Sequence, residues 1–555
     1  MCGHWAGRVR VVADAVHAQQ HQRRRASVLL IVLVVVMLMS LGAYTFSELM
    51  VTEYEATHLY NRGASTRAFA ESGIELAATL ICDPEVTNLY HDPSVFQVLM
   101  QDDETARGRG RLSIVAPVEA NVSANTIRFG LVNESSKINL IFAAELEDLE
   151  QAREMLMGLP LMDEYLADAI LDWVDEDDEP REYGAESEHY DSLSPPIMMK
   201  PLTTLEELLL VRDVTAELLF GEDENRNGML DPRENDGENP PFDNEDDILD
   251  LGWLPYLTLY SRETNRRADG SDRIFINQTD LRALHEELTQ EFSEDEAQFI
   301  VAYLAYGPVE DPLSDTENAV ADSGLSVDEA EALENAAQSM ASALFATANG
   351  ENPVTIDGLD ISPGKQFTIN SLYDLVDAEV EAQIDNSTQT LASPWTSDGS
   401  AMQSYLPVLN DALTTSDKEV IRGRIDINQA RVEVLLGIPE MTEDLAERIA
   451  RANAGPNGEP LGENLELRNT TGWLLIEGFA ELTDLRALDQ YITTDGDVHS
   501  AQLVGHFDEG GPQTRLQAVV DSTEYPAKVL HVRDISHLGV GYRPALLQQT
   551  TSPTN

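Results

Sequence analysis

The 555-residue sequence is short of cysteine and of basic residues, and each shortage excludes a class of protein. Its two cysteines, Cys2 and Cys82, cannot build a framework of disulfide bonds. Lysine and arginine number 36 against 99 aspartate and glutamate residues, which gives a formal net charge of -63. Such a surface repels nucleic-acid phosphates and attracts divalent cations. We therefore expect no nucleic-acid partner.

The sequence also lacks the signature motifs of common enzymes. It contains no Gly-x-Ser-x-Gly, no His-Glu-x-x-His and no phosphate-binding loop, and its histidines are scattered without ligand spacing. The carboxylates of Asp175 and Glu179 could act as a catalytic acid and base, but we interpret the stretch around them as a solvated face. An apolar fraction of 42% still predicts a folded protein, and we expect one without enzymatic activity.

One long apolar run lies near the N-terminus. Arg23, Arg24 and Arg25 precede an uncharged stretch from Ala26 to Phe46. A helix of about 20 residues, at about 1.5 Å per residue, crosses a bilayer core of about 30 Å. The basic cluster before the run leaves residues 1–25 in the cytoplasm, because positive charge is retained on that side. The pattern predicts a single-pass anchor with the bulk of the chain outside the cytosol.

The junction before this run resembles the type III signal of type IV pilins and type II secretion pseudopilins. In these proteins a prepilin peptidase cuts on the cytoplasmic side, and the resemblance implies a cut between Ala26 and Ser27. Ala26 stands where the family usually has Gly, and Ile31 stands where most pilins have Glu. K-type minor pseudopilins lack this glutamate, and a subunit with no neighbour above it cannot offset the cost of a buried carboxylate. An ordinary signal-anchor helix is the alternative.

Residues 137–220 carry the most specific resemblance to K-type minor pseudopilins. Together with the leader and the C-terminal region, the resemblance covers most of the chain except parts of 221–415. The matching segments are Lys137-Ile138-Asn139-Leu140, Tyr165-Leu166-Ala167-Asp168-Ala169-Ile170-Leu171-Asp172-Trp173, Gly184-Ala185-Glu186 and Leu205-Glu206-Glu207-Leu208.

The periodicity and the resemblance together predict an α+β fold. A long N-terminal transmembrane and stalk helix packs on an antiparallel pilin-like sheet, and a large, mainly α domain with helix-hairpin-helix-like repeats is inserted into it. The predicted divisions are a cytoplasmic leader (1–26), the transmembrane and stalk helix (27–82), the first part of the α+β domain (83–136), the inserted helical domain (137–415), a helix-hairpin-helix-like unit (416–490), C-terminal strands that complete the sheet (491–543) and a tail (544–555).

An Ile-Asn opening recurs at 138–139, 276–277, 369–370 and 427–428, and predicts the repeated units. DNA-binding versions of this motif have a Gly-rich hairpin whose amides hold a phosphate. The hairpin at 437–442 has lost its second glycine and is followed by two acidic residues. Packing against protein is therefore the better interpretation, and a DNA-uptake receptor is disfavoured.

The sharpest local motif is a calcium loop at residues 223–234, which fits D-x-[DN]-x-[DN]-G-x5-E. Gly228 supplies the sharp turn, and Leu230 is the apolar residue that such loops turn inward. The expected calcium ligands are Asp223, Asn225, Asn227, the carbonyl of Met229, Asp231 through water, and Glu234. A solvated acidic linker is the alternative. Asp243, Asp246, Asp247 and Asp250 could contribute oxygens to a second site, but carboxylates this dense usually face water.

These observations predict a non-enzymatic K-type minor pseudopilin at the tip of a type II secretion pseudopilus, anchored in the inner membrane. It would prime assembly and support export of folded periplasmic proteins across the outer membrane. By resemblance its partners are the I- and J-class minor pseudopilins, the prepilin peptidase, the inner-membrane secretion platform and membrane lipid, with the secretin or cargo as further contacts. The alternative is a membrane-anchored, calcium-dependent adhesion or scaffold protein.

Overall fold

The computed structural model describes residues 6–84, 86, 88–116, 127–235, 237, 240–242, 244–309, 354–385, 387–453 and 468–548, with side chains from residue 28 onward. The helices are α1 (Ala6–Ile81), α2 (Pro93–Phe96), α3 (Leu140–Ala144), α4 (Leu149–Met157), α5 (Glu164–Val174), α6 (Ser187–Asp191), α7 (Ala216–Phe220), α8 (Leu281–Leu288), α9 (Glu294–Tyr306), α10 (Gly399–Ala412), α11 (Val432–Leu435), α12 (Glu443–Asn453), α13 (Trp473–Ile476) and α14 (Leu482–Leu488). Short 3-10 helices cover Glu134–Ser136, Leu205–Leu210, Leu372–Leu375 and Ser536–Leu538.

In the described residues the strands form a seven-stranded sheet, a four-stranded sheet and four two-stranded pairs. They are β1 (Gln97–Gln101), β2 (Gly110–Ala116), β3 (Arg128–Phe129), β4 (Val132–Asn133), β5 (Ile138–Asn139), β6 (Leu257–Thr258), β7 (Arg262–Thr264), β8 (Ile274–Phe275), β9 (Thr355–Ile356), β10 (Leu359–Asp360), β11 (Glu379–Ile384), β12 (Ser387–Ala392), β13 (Leu413–Thr414), β14 (Val420–Arg422), β15 (Ile425–Asp426), β16 (Ile492–Thr493), β17 (Val498–Phe507), β18 (Thr514–Asp521) and β19 (Lys528–Asp534).

Helix α1 has two parts with different surroundings. Its 76 residues correspond to about 114 Å at 1.5 Å per residue. From Val28 onward it is long and apolar enough to cross a membrane, and its apolar side chains there are exposed, with Leu29 at 72% and Met39 at 71%. From Arg62 onward one face of the helix is buried. The outer end of α1 therefore packs on protein, while the inner part is left for lipid.

An antiparallel sheet receives this outer end. Its strand order is β1-β2-β17-β18-β19, with β3 beside β2 and β4 beside β17. In its centre Val115 of β2 pairs with Gln502 of β17. Ala70 and Ala77 of α1 pack on this sheet with Leu112, Ile114 and Leu503 in one core, hereafter the sheet core. The α+β class, the long N-terminal apolar helix and the antiparallel strands are thus confirmed.

Gly505 sets how closely α1 approaches the sheet. A Cβ atom at Gly505 would lie 1.9 Å from the carbonyl oxygen of Thr66 and 3.2 Å from the backbone nitrogen of Ala70. We expect Gly505→Ala to destabilise the protein by about 1–3 kcal/mol, because backbone atoms cannot turn aside as a side chain can. Thermal unfolding of the detergent-solubilised chain measures the effect. Gly399→Ala is the control, since no atom lies within 4 Å of its added carbon, and equal losses in both variants would contradict the contact.

Three short parallel strand pairs organise the region inserted between β4 and β17. β5 pairs with β6, β8 with β13, and β15 with β16. Each pair joins the start of a mainly helical segment to the residues at its end, so units at 138–258, 274–414 and 425–493 follow one another along the chain. Three of the four predicted Ile-Asn openings lie at or just after the first strand of such a pair. That the units are helix-hairpin-helix motifs stays a prediction.

The inserted region also contains a sheet that the sequence patterns did not predict. β12, β11, β10 and β9 form four neighbouring antiparallel strands within 355–392. The segment 137–415, expected to be mainly α, therefore also contains a four-stranded sheet. The region inserted between β4 and β17 is hereafter called the head. Its single hydrophobic core, the head core, runs from Ile138 to Ile492 and contains residues of all three units.

Candidate functional site

The predicted calcium loop closes on itself around Asp223. The Asp223 carboxylate accepts hydrogen bonds from the backbone nitrogens of Asn227 (3.0 Å) and Gly228 (2.9 Å). Gly228 has φ +70°, a left-handed conformation that glycine adopts without strain, so the predicted sharp turn is present. Asp223, Asn227 and Glu234 are buried. The alternative of a solvated linker does not fit this burial.

The far end of the loop folds back onto its beginning. Glu234 accepts from the backbone nitrogens of Asn225 (3.3 Å) and Asp231 (2.9 Å). Asp231 Oδ2 in turn accepts from Nδ2 of Asn225 (2.7 Å) and of Asn227 (3.1 Å), and the backbone nitrogen of Met229 donates to Asn227 Oδ1 (2.6 Å). The structure therefore brings the predicted ligand residues together.

The electrostatics of the loop suit a hard cation. Asn225 Oδ1 is buried and has no hydrogen-bond partner among the described residues. Burial raises the pKa of Asp223, and burial together with the charges of Asp223 and Asp231 raises the pKa of Glu234 to about 7. Carboxylate and amide oxygens are the ligands that Ca²⁺ prefers, and a divalent cation relieves the repulsion among buried carboxylates. The residues present fit a calcium ion.

The loop also lies between the two cores. Met229 packs against the sheet core, whereas the next residue, Leu230, packs against the head core. Glu206 of the head pairs with Arg226 of the loop (2.7 Å) and with Arg533 of the edge strand β19. The inward position predicted for Leu230 is thus a contact with the head core.

The loop bonds directly to two sheet strands and to the segment that follows the sheet. The carbonyl oxygen of Arg226 accepts from Gln502 Nε2 (2.6 Å) on β17 and from Arg515 Nη2 (3.1 Å) on β18. Asn227 Nδ2 donates to the carbonyl oxygen of Gly541 (2.8 Å). The shape of this loop therefore contributes to how the head sits on the sheet.

A buried carboxylate forms a second connection between head and sheet. Glu134 accepts from Lys137 Nζ (2.5 Å) and Ser500 Oγ (2.5 Å) through Oε1, and from Thr258 Oγ1 (2.5 Å) through Oε2. Burial disfavours its ionised form, but Lys137 and the two hydroxyls hold its pKa below the ordinary value. Sequence reasoning missed Glu134, because its partners lie as far as 366 positions away along the chain.

The other residues singled out from the sequence lie apart from the loop. Ala26 and Ser27 are inside α1, and their side chains are outside the described residues. Asp243 is also outside them, and Asp246 and Asp247 are exposed, as expected of acids that face water. Asp250 is half-buried instead, and its carboxylate accepts from Asn244 Nδ2 at 3.0 Å.

The interpretation of Asp175 as part of a solvated face was wrong. Its side chain is only 10% exposed and pairs with Arg181 Nη1 at 2.5 Å, although Glu179 is exposed. The density of carboxylates in this stretch suggested solvent exposure, but Arg181 folds back and covers part of it.

The architecture defines a class of protein. An apolar helix long enough to span a membrane continues into an outer half that packs on an antiparallel sheet, and the sheet is built from chain segments on both sides of a large insertion. This arrangement is that of a membrane-anchored, pilin-like subunit.

Comparison with protein families narrows the class. The family model described as type II secretion system (T2SS), protein K, matches residues 130–220, which run from the end of the first sheet strands to α7. The match confirms the resemblance drawn from the sequence, and it makes residues 130–220 similar to the K-type minor pseudopilins. None of the curated proteins compared with the chain matches it.

This match supports several general properties. It supports a pseudopilin role in type II secretion, and such a role implies other pseudopilins and secretion components as partners. Proteins of this family are generally non-catalytic. The single apolar helix found in the described part of the chain fits a single-pass anchor in the inner membrane.

Proposed function

We propose that this protein caps the pseudopilus, with its head at the periplasmic tip, where it primes assembly and supports export of folded periplasmic proteins across the outer membrane. The observation that carries the proposal is that the head lies at the end of the sheet farther from the membrane. The contacts between α1 and β17 support this position.

Contacts between α1 and β17 run in one direction. Arg62 donates to the carbonyl oxygen of Gly510, Thr66 lies against Gly505, and Gly73 lies against Leu503. Moving outward along α1 thus means moving backward along β17, toward its first residue, Val498. The head joins the sheet just before Val498, through β16 and Asp497. This order supports a head at the membrane-distal end of the stalk.

The stalk supplies the surface for sibling subunits. Between the membrane and Arg62 its side chains are exposed, including Tyr54 (71%), Leu59 (51%) and Tyr60 (77%). Exposed aromatic and aliphatic groups along a helix are the usual material of helix-to-helix association. The I- and J-class minor pseudopilins pack here, while cargo or secretin contacts fall to the head.

Processing and orientation complete the proposal. The prepilin peptidase cuts between Ala26 and Ser27, leaves residues 1–26 in the cytoplasm, and releases the mature subunit to the inner-membrane secretion platform. The three arginines before the apolar run support this orientation. Ile31 stands where most pilins have a glutamate that lies within the membrane, and this supports a subunit at the tip, with no other subunit above it.

Calcium, in this proposal, fixes the head on the sheet. Asp223, Asn225, Asn227, Met229, Asp231 and Glu234 would hold the ion, which supplies positive charge to three clustered carboxylates. The loop's own bonds to Gln502, Arg515 and Gly541 then transmit the fixed shape to the sheet. Outside the cytosol, where Ca²⁺ is plentiful, a site of millimolar or tighter affinity stays filled.

Co-purification with sibling subunits tests the proposed assembly. The full chain in detergent should retain the I- and J-class minor pseudopilins, and Tyr60→Glu should reduce that retention at least tenfold, because it buries a charge between helices. Met198→Glu, at a head residue that is 73% exposed, is the control and should leave retention unchanged. Failure of the native chain to bind either sibling, or equal losses in both variants, would contradict the proposal.

A further inference from the structure

A cavity lies between the head and the sheet, beside the loop at 223–234. Its volume is about 140 Å³, and an apolar cavity of about 150 Å³ admits a molecule as large as benzene. Residues of β3, β4, β17 and β18 line it on one side, and residues of the head line it on the other. Lys137, Gln429 and Arg431 in its lining are only half-buried, so solvent reaches it. The cavity can therefore admit a small molecule.

The charge of this cavity is opposite to that of the chain. Among the described residues that line it, four are basic and one is acidic, whereas the whole chain has 36 basic and 99 acidic residues. The basic residues are Arg128, Lys137, Arg226 and Arg431, and the acid is Asp223. The Asp223 carboxylate already accepts hydrogen bonds from its own loop. A cleft lined by cations and walled by protein concentrates anions.

Arg431 is the lining cation best placed to bind an anion. It precedes α11 as its N-cap, and its guanidinium carbon lies 5.5 Å from the centroid of the Tyr256 ring. Lys137 and Arg226 each form an ion pair with a carboxylate of the protein, but Arg431 forms none with the described residues. Its charge is therefore available to a ligand.

A buried cation next to the cavity adds to the positive charge. Arg515 of β18 is fully buried and donates to Oε1 of the lining residue Gln502 at 2.9 Å. Its other acceptors are the carbonyl oxygens of Arg226 and Gly539, and its Nε has no hydrogen-bond partner among the described residues. Burying a guanidinium without a paired carboxylate costs free energy. An anion in the cavity would supply negative charge nearby.

We propose that this cavity binds a small oxyanion of the phosphate or carboxylate type. The guanidinium fork matches both groups in shape and binds them through two parallel hydrogen bonds, so Arg431 would make the main charged contact. Gln517 of β18 also lines the cavity, and its side chain forms no hydrogen bond with the described residues, so its amide nitrogen is free to donate to the same anion. Because head and sheet both line the cavity, the anion would link them. This site does not depend on the tip function.

Calorimetric titration of the full chain in detergent tests the site. Inorganic phosphate and acetate are titrated separately in chelator, which keeps calcium away from phosphate, at an ionic strength held constant with chloride. The native chain should bind one anion per chain, and tighter binding of phosphate or of acetate assigns a phosphoryl or a carboxylate ligand.

The arginine variants place the binding in the cavity. Arg431→Gln should lower the affinity for the bound anion at least tenfold, because it removes the charge and the fork. Arg282→Gln, at an exposed position of α8, removes the same charge elsewhere and should leave the affinity unchanged. No saturable binding of either anion by the native chain, or equal affinities in Arg431→Gln and the native chain, would overturn the proposal.

Gln517→Glu tests the same cavity without removing a cation. Glutamate has the size of glutamine, and its carboxylate would take the place of the proposed anion among the same basic groups. The variant should lose affinity for the anion at least tenfold, and without added anion it should unfold at no lower temperature than the native chain. Gln290→Glu, at an exposed position just after α8, is the control and should change neither quantity. Undiminished anion binding by Gln517→Glu, or a lower unfolding temperature, would also overturn the site.

Discussion

Replacing Glu234 by Gln is expected to remove the stabilisation that calcium gives through the loop at 223–234. Glu234 offers two carboxylate oxygens, and both now accept backbone hydrogen bonds from the loop itself. Gln keeps the size of the side chain but loses the charge and one acceptor. At a calcium concentration of about 100 times Kd, binding stabilises a folded protein by about 2.7 kcal/mol, and the variant should lose an amount of this order.

Thermal unfolding in millimolar Ca²⁺ and in chelator measures this loss. The native chain should unfold at a higher temperature in Ca²⁺ than in chelator, and Glu234→Gln should reduce that difference. Because the amide nitrogen of Gln cannot accept one of the two backbone hydrogen bonds, the variant should also unfold at a lower temperature in chelator, and the difference between the two conditions is therefore the quantity compared. Glu224→Gln is the matched control, since Glu224 lies in the same loop but is exposed and occupies no ligand position of the motif. If the unfolding temperatures in Ca²⁺ and in chelator differ by the same amount in Glu234→Gln and in the native chain, the loop does not bind the stabilising calcium ion.

Replacing Asp168 by Ala is expected to destabilise the protein by about 3–5 kcal/mol, because it leaves a guanidinium without its buried partner. Asp168 is fully buried on α5 and bonds Arg153 of α4 through both oxygens, at 2.9 and 3.0 Å. It also accepts from the backbone nitrogen of Tyr183 at 3.1 Å. One carboxylate therefore holds two helices and the loop after them.

The same arginine offers its own control. Arg153 also pairs with Glu150 at 3.0 Å, but the Glu150 side chain is 69% exposed. An exposed pair contributes about 0–1 kcal/mol, so Glu150→Ala should have a small effect. Denaturant unfolding of the two variants under identical conditions compares them, and losses of similar size would show that burial does not set the strength of this pair.

Sequence reasoning succeeded where the signal is continuous along the chain. The apolar helix is recognisable over about 20 successive residues. The loop motif lies within the 12 residues from Asp223 to Glu234, so its closed turn at Gly228 was predictable, while calcium binding there stays a prediction. The strands β2, β17, β18 and β19 are seven residues or longer, which is enough for period-two patterning to show.

It failed where the signal depends on residues distant in sequence or on burial. Nothing near Glu134 in the sequence points to Ser500 or Thr258. Asp172 and Asp175 belong to a dense acidic stretch, and only the return of Arg181 shows that they are buried. The strands β9 and β10 are two residues long, too short for any alternation, and the residues of β12 are mostly polar and exposed. Their sheet could not be predicted from periodicity.

The contact between the head and the sheet was predictable only in part from the sequence. The loop motif is readable in the sequence, but its position between the two cores, with Met229 in one and Leu230 in the other, comes from the structure alone. Calcium at this place would act on the attachment of the head and not only on the loop.

N-terminal mass spectrometry of the protein extracted from membranes tests the central claim, that this chain is a processed pseudopilin anchored by its apolar helix. The account predicts a mature chain that begins at Ser27 and keeps the whole apolar run. A chain that begins at Met1, or well beyond Phe46, would contradict it.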